Sequence, residues 1–292
     1  TEALLLALKR GDVDVLMGVN PHVPLAYVSG LEKAAGIGLP EVEDTGVPLT
    51  LVFNARKQPT ALRAFRLAVA RAVDSRALIA AVARGHGQVP ELGFAPPASW
   101  TYGGPFPQLR HDPERAAGVL DSLGFIDLDG DRMREDPDGH PFTLEIIPET
   151  WQSHGEAVRA VEMIAYQLGQ VGIRTVMRKY VVEQEYDILW EQRDYQVYVG
   201  HATHAGARDG GHVYFADYTD FSYGTFADSA YCAILDRITH APDEAAYLEA
   251  TRASQAYNAR EIPGLALLWG RKSYASRQDR FTGWQPMAGY GV

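Results

Sequence analysis

Cysteine is almost absent from this chain, which has a single one, Cys232, in 292 residues. One thiol cannot form an internal disulfide, and it cannot supply the several thiolates of a cysteine-rich zinc site. No neighbouring residue suggests activation of the thiol, so we interpret Cys232 as a structural residue at the start of a helical pattern. Disulfide-stapled scaffolds and cysteine-rich zinc folds are therefore excluded.

Long apolar runs and an excess of basic residues are also missing. No stretch approaches the ~18 uninterrupted apolar residues that a membrane span needs. Lys and Arg number 27 against 37 Asp and Glu, which gives a formal net charge of −10. Non-specific nucleic-acid binding depends on a basic surface that releases phosphate counterions, so this charge balance argues against a nucleic-acid partner.

Familiar catalytic motifs are missing as well. The sequence contains no GxSxG elbow, no Walker loop and no HExxH helix. Ser153 and His154 stand side by side, but adjacent residues on an extended chain point to opposite sides. We therefore expect a binding protein and not an enzyme, with no cofactor.

Hydrophobic periodicity, caps and turn residues predict alternating helices and strands. The predicted helices lie within 2–10, 60–85 (divided at the capping residue Asp74), 112–124, 155–173 and 244–261. The predicted strands lie within 13–19, 48–55, 141–147, 173–181, 194–203 and 262–275, and 21–48 is loop-rich. This alternation indicates an α/β architecture.

Several of these segments resemble one protein family when they are taken in order. They include LAVARAVDSRALIAAVARG (67–85), GFAPPASWTYGG (93–104), HDPERAAGVLDSLGFIDLDGDRMRE (111–135) and YLEATRASQAYNAREIPGLALLW (247–269). Together they resemble the family 5 extracellular solute-binding proteins, which are the dipeptide, oligopeptide and nickel receptors of ABC importers. Each segment alone is only a capped helix or a turn, and the resemblance depends on their order along nearly the whole chain.

The resemblance implies a fold and a division into lobes. We expect the second lobe of a periplasmic-binding-protein-like fold (type II, oligopeptide-binding class), with partial strands and helices of the first lobe at both ends. Residues 1–55 would end the first-lobe segment, 56–258 would form the second lobe, and 259–292 would return to the first. The start at Thr1 shows no signal peptide, and the family's upstream part is absent, so we expect a fragment.

The same resemblance implies a function. The protein would be the substrate-binding component of an ABC importer and would bind a peptide or similar polar solute between two lobes. Its partners would be this ligand and a membrane permease, and we expect a monomer. The location would be periplasmic, or extracellular and lipid-anchored in a Gram-positive source.

Aromatic and polar residues in segments of loop character are the candidate ligand contacts, because irregularly placed rings beside Gly and Asp favour a stacking surface. Peptide-binding members of the family have an Asp that pairs with the ligand's α-ammonium. Asp209 is the nearest match, although Gly210 stands where a proline is expected. The candidate residues are Trp100, Tyr102, Trp151, Tyr198, His201, Thr203, His204 and Asp209.

Two possible metal sites have simpler interpretations. The acidic run DLDGDRMRE (127–135) has calcium-loop spacing, but Arg132 replaces the required Gly and a strand follows, so we predict a turn. His201 and His204 could bind a metal, but residues at i and i+3 face together only on a helix. We therefore predict no metal site, and keep a nickel-type chelate receptor of the same family as an alternative. A ligand-binding domain of a hydrolase or regulatory protein is a second alternative.

Overall fold

The computed structural model describes residues 2–16, 23, 25–43, 48–150, 155–201 and 226–283. The helices are α1 (Glu2–Arg10), α2 (Leu25–Glu32), α3 (Arg63–Ala72), α4 (Ser75–Val82), α5 (Pro113–Ser122), α6 (Glu156–Gln170), α7 (Val182–Tyr186), α8 (Ser229–Thr239) and α9 (Glu244–Glu261). The strands are β1 (Ile37–Gly38), β2 (Glu41–Glu43), β3 (Leu49–Phe53), β4 (Gly87–Gln88), β5 (Thr143–Pro148), β6 (Arg174–Met177), β7 (Val197–His201), β8 (Gly264–Ser273) and β9 (Ser276–Arg277). A π-helical turn, Asp187–Glu191, continues α7.

A mixed sheet organises these elements. Its order is β2-β8-β3-β7-β5-β6, with β4 pairing to β8, and β1 forms a separate ladder with β9. Strand β5 runs parallel to both β6 and β7, whereas β3 runs antiparallel to β7 and β8. Helix α6 joins β5 to β6, as parallel strands need a crossover connection. The α/β class predicted from the sequence is confirmed.

The central strands are buried on both faces, because helices cover each side of the sheet. Successive side chains point to opposite sides of a strand, so neighbouring residues join different hydrophobic clusters. In β3, Leu51 and Phe53 join one hydrophobic cluster with helices α3 to α6, whereas Val52 joins another with α8 and α9. In β7, Val197 and Val199 join the first cluster and Tyr198 joins the second. The two faces therefore have separate cores.

Side-chain caps fix where several helices begin. The Asp74 carboxylate accepts hydrogen bonds from the backbone N–H groups of Arg76 and Ala77, which starts α4 where the sequence predicts it. Asp112 accepts from Arg115 and is followed by Pro113 at the first turn of α5. The predicted starts of both helices are confirmed, whereas α4 ends at Val82, a few residues before the predicted end at Gly85.

Three predicted segments differ from the structure. The strand predicted over 13–19 is absent over its described part, 13–16, where Val15 makes only an isolated bridge to Ser276. Residues 25–32, predicted as loop, form α2, because Val28 and Leu31 are buried in a third cluster with Leu5 and Leu8 of α1. The strand predicted over 173–181 ends at Met177. Tertiary packing overrides weak local signals in α2.

The buried Arg66 side chain holds the end of α9 against the start of α3. It is 2% exposed, and its Nε donates to the carbonyl of Ile262 at 2.9 Å. Its two terminal nitrogens donate to the carbonyls of Glu261, Thr60 and Ala61 at 2.8, 3.0 and 2.8 Å. Burial lowers the pKa of Arg66 to about 10, which still leaves the guanidinium charged at neutral pH.

We predict that Arg66→Met lowers the free energy of unfolding by about 3 kcal/mol or more, because several buried carbonyls lose their donor. Urea unfolding measures this loss. The matched control is Arg76→Met on α4, where the side chain is exposed, and a change within about 0.5 kcal/mol is expected there. An equal loss of unfolding free energy in the two variants would contradict the stabilising role of the Arg66 hydrogen bonds.

Candidate functional site

The carboxyl ends of β5 and β7 form the candidate site. These parallel neighbours end side by side, with Pro148 paired to Val199, and the Glu149 N–H donates to the Val199 carbonyl at 2.8 Å. In open α/β sheets, ligands bind in the crevice outside the carboxyl ends of the strands. The polar residues that follow these two strands are therefore the first candidates for ligand contact.

An imidazole lies between two carboxylates at this edge. His201 Nδ1 lies 2.7 Å from Oε2 of Glu149, whose side chain is fully buried. The other ring nitrogen, Nε2, lies 3.9 Å from Oε2 of Glu156, the first residue of α6. The His201 side chain is 19% exposed and that of Glu156 31%, so this second contact is the more accessible one.

A further buried carboxylate, Glu185 of α7, lies behind Glu149. It accepts hydrogen bonds from the Thr150 N–H at 3.1 Å and hydroxyl at 2.6 Å, and from the Tyr198 hydroxyl at 3.4 Å. Burial raises the pKa of Glu185, and the nearby Glu149 charge adds to this effect, whereas the hydrogen bonds oppose it. The Thr150 bonds fix the chain just beyond β5.

The family model described as bacterial extracellular solute-binding proteins, family 5 Middle, matches residues 1–221. The chain belongs to this family. The chain is 27% identical over 191 residues to the nickel-binding periplasmic protein of Escherichia coli K12, covering 65% of this chain and 34% of that protein. It is 26% identical over 173 residues to the dipeptide-binding protein of the same strain, covering 59% of this chain and 29% of that protein.

Solved structures confirm the fold expected of a family 5 member. NikA from Brucella suis, in complex with Fe(III)-EDTA, superposes with a TM-score of 0.79 at 19% identity, over 96% of this chain and 56% of that one. The oligopeptide-binding protein AppA from Bacillus subtilis, in complex with a nonapeptide, superposes with a TM-score of 0.78 at 16% identity. The match covers 95% of this chain and 54% of AppA. The fold is that of type II periplasmic binding proteins. The chain spans about a third of the two curated relatives and about half of these structures.

The structure brings two of the predicted ligand residues of this family 5 chain to the same edge. His201 makes the contacts given above, whereas the Tyr198 ring is fully buried in the second hydrophobic cluster and presents its hydroxyl to Glu185. Trp151, Thr203, His204 and Asp209 lie outside the described residues. Ligand contact by any of these residues stays a prediction.

Trp100 and Tyr102 lie on a segment that packs beside α9. The Trp100 indole is 58% exposed and stacks on Tyr247, with ring centroids 5.7 Å apart and planes 10° apart. The Tyr102 hydroxyl donates to Glu91 at 2.8 Å, and burial together with this carboxylate raises the pKa of Tyr102 to about 12. The indole presents an aromatic surface, and its predicted ligand contact is untested.

Sequence reasoning missed the three carboxylates Glu149, Glu156 and Glu185. The sequence did indicate Glu149 as a candidate site residue, because the polar pair Glu149-Thr150 directly follows a buried strand. The signal for Glu156 was its place at the start of a helix just beyond that strand. Glu185 gave none, since α7 carries no clear hydrophobic period and was not predicted.

The acidic hairpin has the hydrogen bonding of a turn, as predicted. Carboxylate atoms of Asp127, Asp129 and Glu135 lie within 4.8 Å of one another. Asp127 accepts backbone N–H bonds from Gly130 and Arg132 at 2.7 and 3.0 Å. Glu135 accepts one from Leu128 at 2.7 Å. These bonds close the hairpin.

We predict that the stability of Glu185→Gln relative to the natural protein rises with pH. A raised folded-state pKa means that the natural protein loses stability as pH climbs above the ordinary value of 4.5, when the buried carboxyl must ionise, whereas glutamine does not titrate. Urea unfolding at about pH 4 and pH 8 measures the difference. The control is Glu162→Gln, exposed on α6. If the stability difference between Glu185→Gln and the natural protein did not change with pH, ionisation of the buried Glu185 carboxyl would not explain it, and the prediction would be wrong.

Proposed function

We propose that this chain is the solute-binding component of an ABC importer and that it binds a peptide or similar polar solute at the carboxyl ends of β5 and β7. The observation that carries the proposal is the polar cluster around His201 at this edge in a chain of the family 5 fold. Similar structures hold a nonapeptide in AppA and the dipeptide Met-Leu in a Pseudoalteromonas dipeptide-binding protein. No covalent chemistry is needed, since binding and release are enough for uptake.

The proposed lobes keep the boundaries 1–55, 56–258 and 259–292. Pairing between the two ends of the chain supports the assignment of both ends to one lobe. The Val23 N–H donates to the Ser273 carbonyl at 2.7 Å, β2 pairs with β8, and β1 pairs with β9. Leu5, Leu8 and Ala275 share the third hydrophobic cluster. The first and last segments therefore pack together, as parts of one lobe should.

We place the protein in the bacterial envelope, in the periplasm or on the outer surface, where it would act as a monomer and deliver the solute to a membrane permease. The family's extracellular description supports this location. Among the residues that the structure describes, no helix is both long and apolar enough to cross a membrane.

We predict that free short peptides raise the melting temperature of the full chain. A ligand at about 100 times its Kd should add ~2.7 kcal/mol of stability. The measurement is a thermal-shift series with tri- to nonapeptides, their N-acetylated versions and nickel–histidine chelates.

Stabilisation by peptides but not by chelates supports a peptide receptor. A response to chelates alone would contradict the peptide assignment, and no response to any compound would contradict solute binding by this chain. An unrelated disaccharide serves as the control for non-specific stabilisation.

A further inference from the structure

Helix α7 is attached to the sheet through a carboxyl group. Of its five residues, all of which the structure describes, Glu185 alone is buried. Val182 and Tyr186, one turn apart on the outer face, are 48% and 46% exposed. This pattern is the reverse of an ordinary surface helix, which buries its apolar side and exposes its charges. The docking of α7 therefore depends on what surrounds the Glu185 carboxyl.

Thr150, the second residue after β5, holds this carboxyl. Its N–H and its hydroxyl donate to Oε2 of Glu185, at 3.1 and 2.6 Å. The same hydroxyl lies 3.1 Å from the Tyr180 carbonyl, which is a second acceptor for its one proton. The Thr150 hydroxyl can therefore keep a hydrogen bond whether or not Glu185 is docked.

The neutral form of Glu185 fits this arrangement. Oε2 already faces two donors, so the proton of a neutral carboxyl belongs on Oε1, which lies 3.4 Å from the Tyr198 hydroxyl. Tyr198 reaches this atom because its phenol lies across Gly200, where a Cβ would come 2.5 Å from the phenolic oxygen. A carboxylic acid can therefore occupy the site without displacing its neighbours.

The surroundings of Glu185 disfavour its ionised form. Burial has the largest effect and raises the pKa of Glu185, and repulsion from Glu149 adds to it. A protonated His201, 2.7 Å from Glu149, would oppose this repulsion. The titratable groups on the described elements around Glu185 include Glu149, Glu156, Tyr180, Tyr198 and His201, and the exposed Glu183, Tyr186 and Asp187.

We infer that α7 is a proton-controlled latch, a segment that is docked while Glu185 is neutral and undocks when Glu185 ionises. On ionisation the carboxylate moves into water, the π-helical turn Asp187–Glu191 serves as the hinge, and the Thr150 hydroxyl keeps only its bond to Tyr180. The latch controls how firmly the chain just beyond β5 is held. It goes beyond the proposed function and does not depend on which solute is bound.

The direction of the pH response follows from the pKa of Glu185. This pKa is raised in the docked form, whereas a carboxyl in water has the ordinary value of 4.5. The docked form therefore binds the proton more tightly, so docking is favoured in acid. It weakens as pH rises above 4.5 and through the raised pKa of the docked form. In that window, one proton changes the docking equilibrium by up to about ten-fold per pH unit.

Hydrogen–deuterium exchange on the full chain at about pH 4 and pH 8 tests the latch. The reporters are the amide of Thr150, which donates to Glu185, and the amide of Glu185, which donates to the Val181 carbonyl at 2.9 Å. Each rate is divided by that of Glu185→Gln at the same pH, so the intrinsic pH dependence of exchange cancels. We expect this ratio to rise at least about five-fold from pH 4 to pH 8.

Two further variants and an internal reference assign the effect. Glu183→Gln, an exposed change on the same helix, should exchange like the natural protein at both pH values. Glu185→Ala has no carboxyl to hold Thr150 and should exchange fast at both. The amides of β3, which pairs with β7 and β8, should exchange equally in all four proteins.

Three outcomes would overturn the inference. A ratio that does not change with pH would make Glu185 a fixed structural anchor. A response in Glu183→Gln that matches Glu185→Gln would assign the effect to the general charge of the helix. A pH response that includes the β3 amides would show unfolding of the sheet and not undocking of α7. The proposed function stands in each case, because no solute enters the experiment.

Discussion

One guanidinium joins four parts of the chain. Arg66 lies on α3, and its donors reach the turn before that helix, the end of α9 and the start of the segment that leads into β8. Ile262 at this junction has φ 53° and ψ 57°, a left-handed conformation that is unfavourable for a β-branched residue. The Arg66 bonds to the carbonyls of Glu261 and Ile262 hold the chain in this conformation. The path from α9 into β8 therefore depends on a buried charge.

That path in turn sets the position of the candidate site. Strand β8 pairs with β3, and β3 pairs with β7, so the end of β7 at His201 lies opposite Leu49 and near Leu268. Burial on both faces fixes the register, because a shift by one residue would exchange the side chains of the two cores. Glu149, Glu156 and His201 are thus brought together by elements that are themselves rigidly packed. Side chains on such elements are held more precisely than side chains on loops.

Much of this fold could be predicted from local signals. Asp74 and Asp112 gave the starts of two helices, because a capping carboxylate acts within a few residues of itself. Helix α2 could not be predicted, since its stability comes from contact with α1. For the site, His201 could be proposed as a polar residue after a strand, but its distances to Glu149 and Glu156 depend on strand pairing. Such spatial proximity is not encoded in sequence spacing.

The length of β8 has a mechanical consequence. Its first half pairs with β3, and Trp269 and Gly270 pair with β4, whereas its last three residues pair with β2 and reach Val23. A single backbone thus runs without a break from the central sheet to the segments at both chain ends. Sliding of those segments along the strand would break the ladders on either side together, so backbone hydrogen bonds tie both chain ends to the central sheet. Gly270 lies where the pairing passes from β4 to β2, and it has open space where a side chain would be.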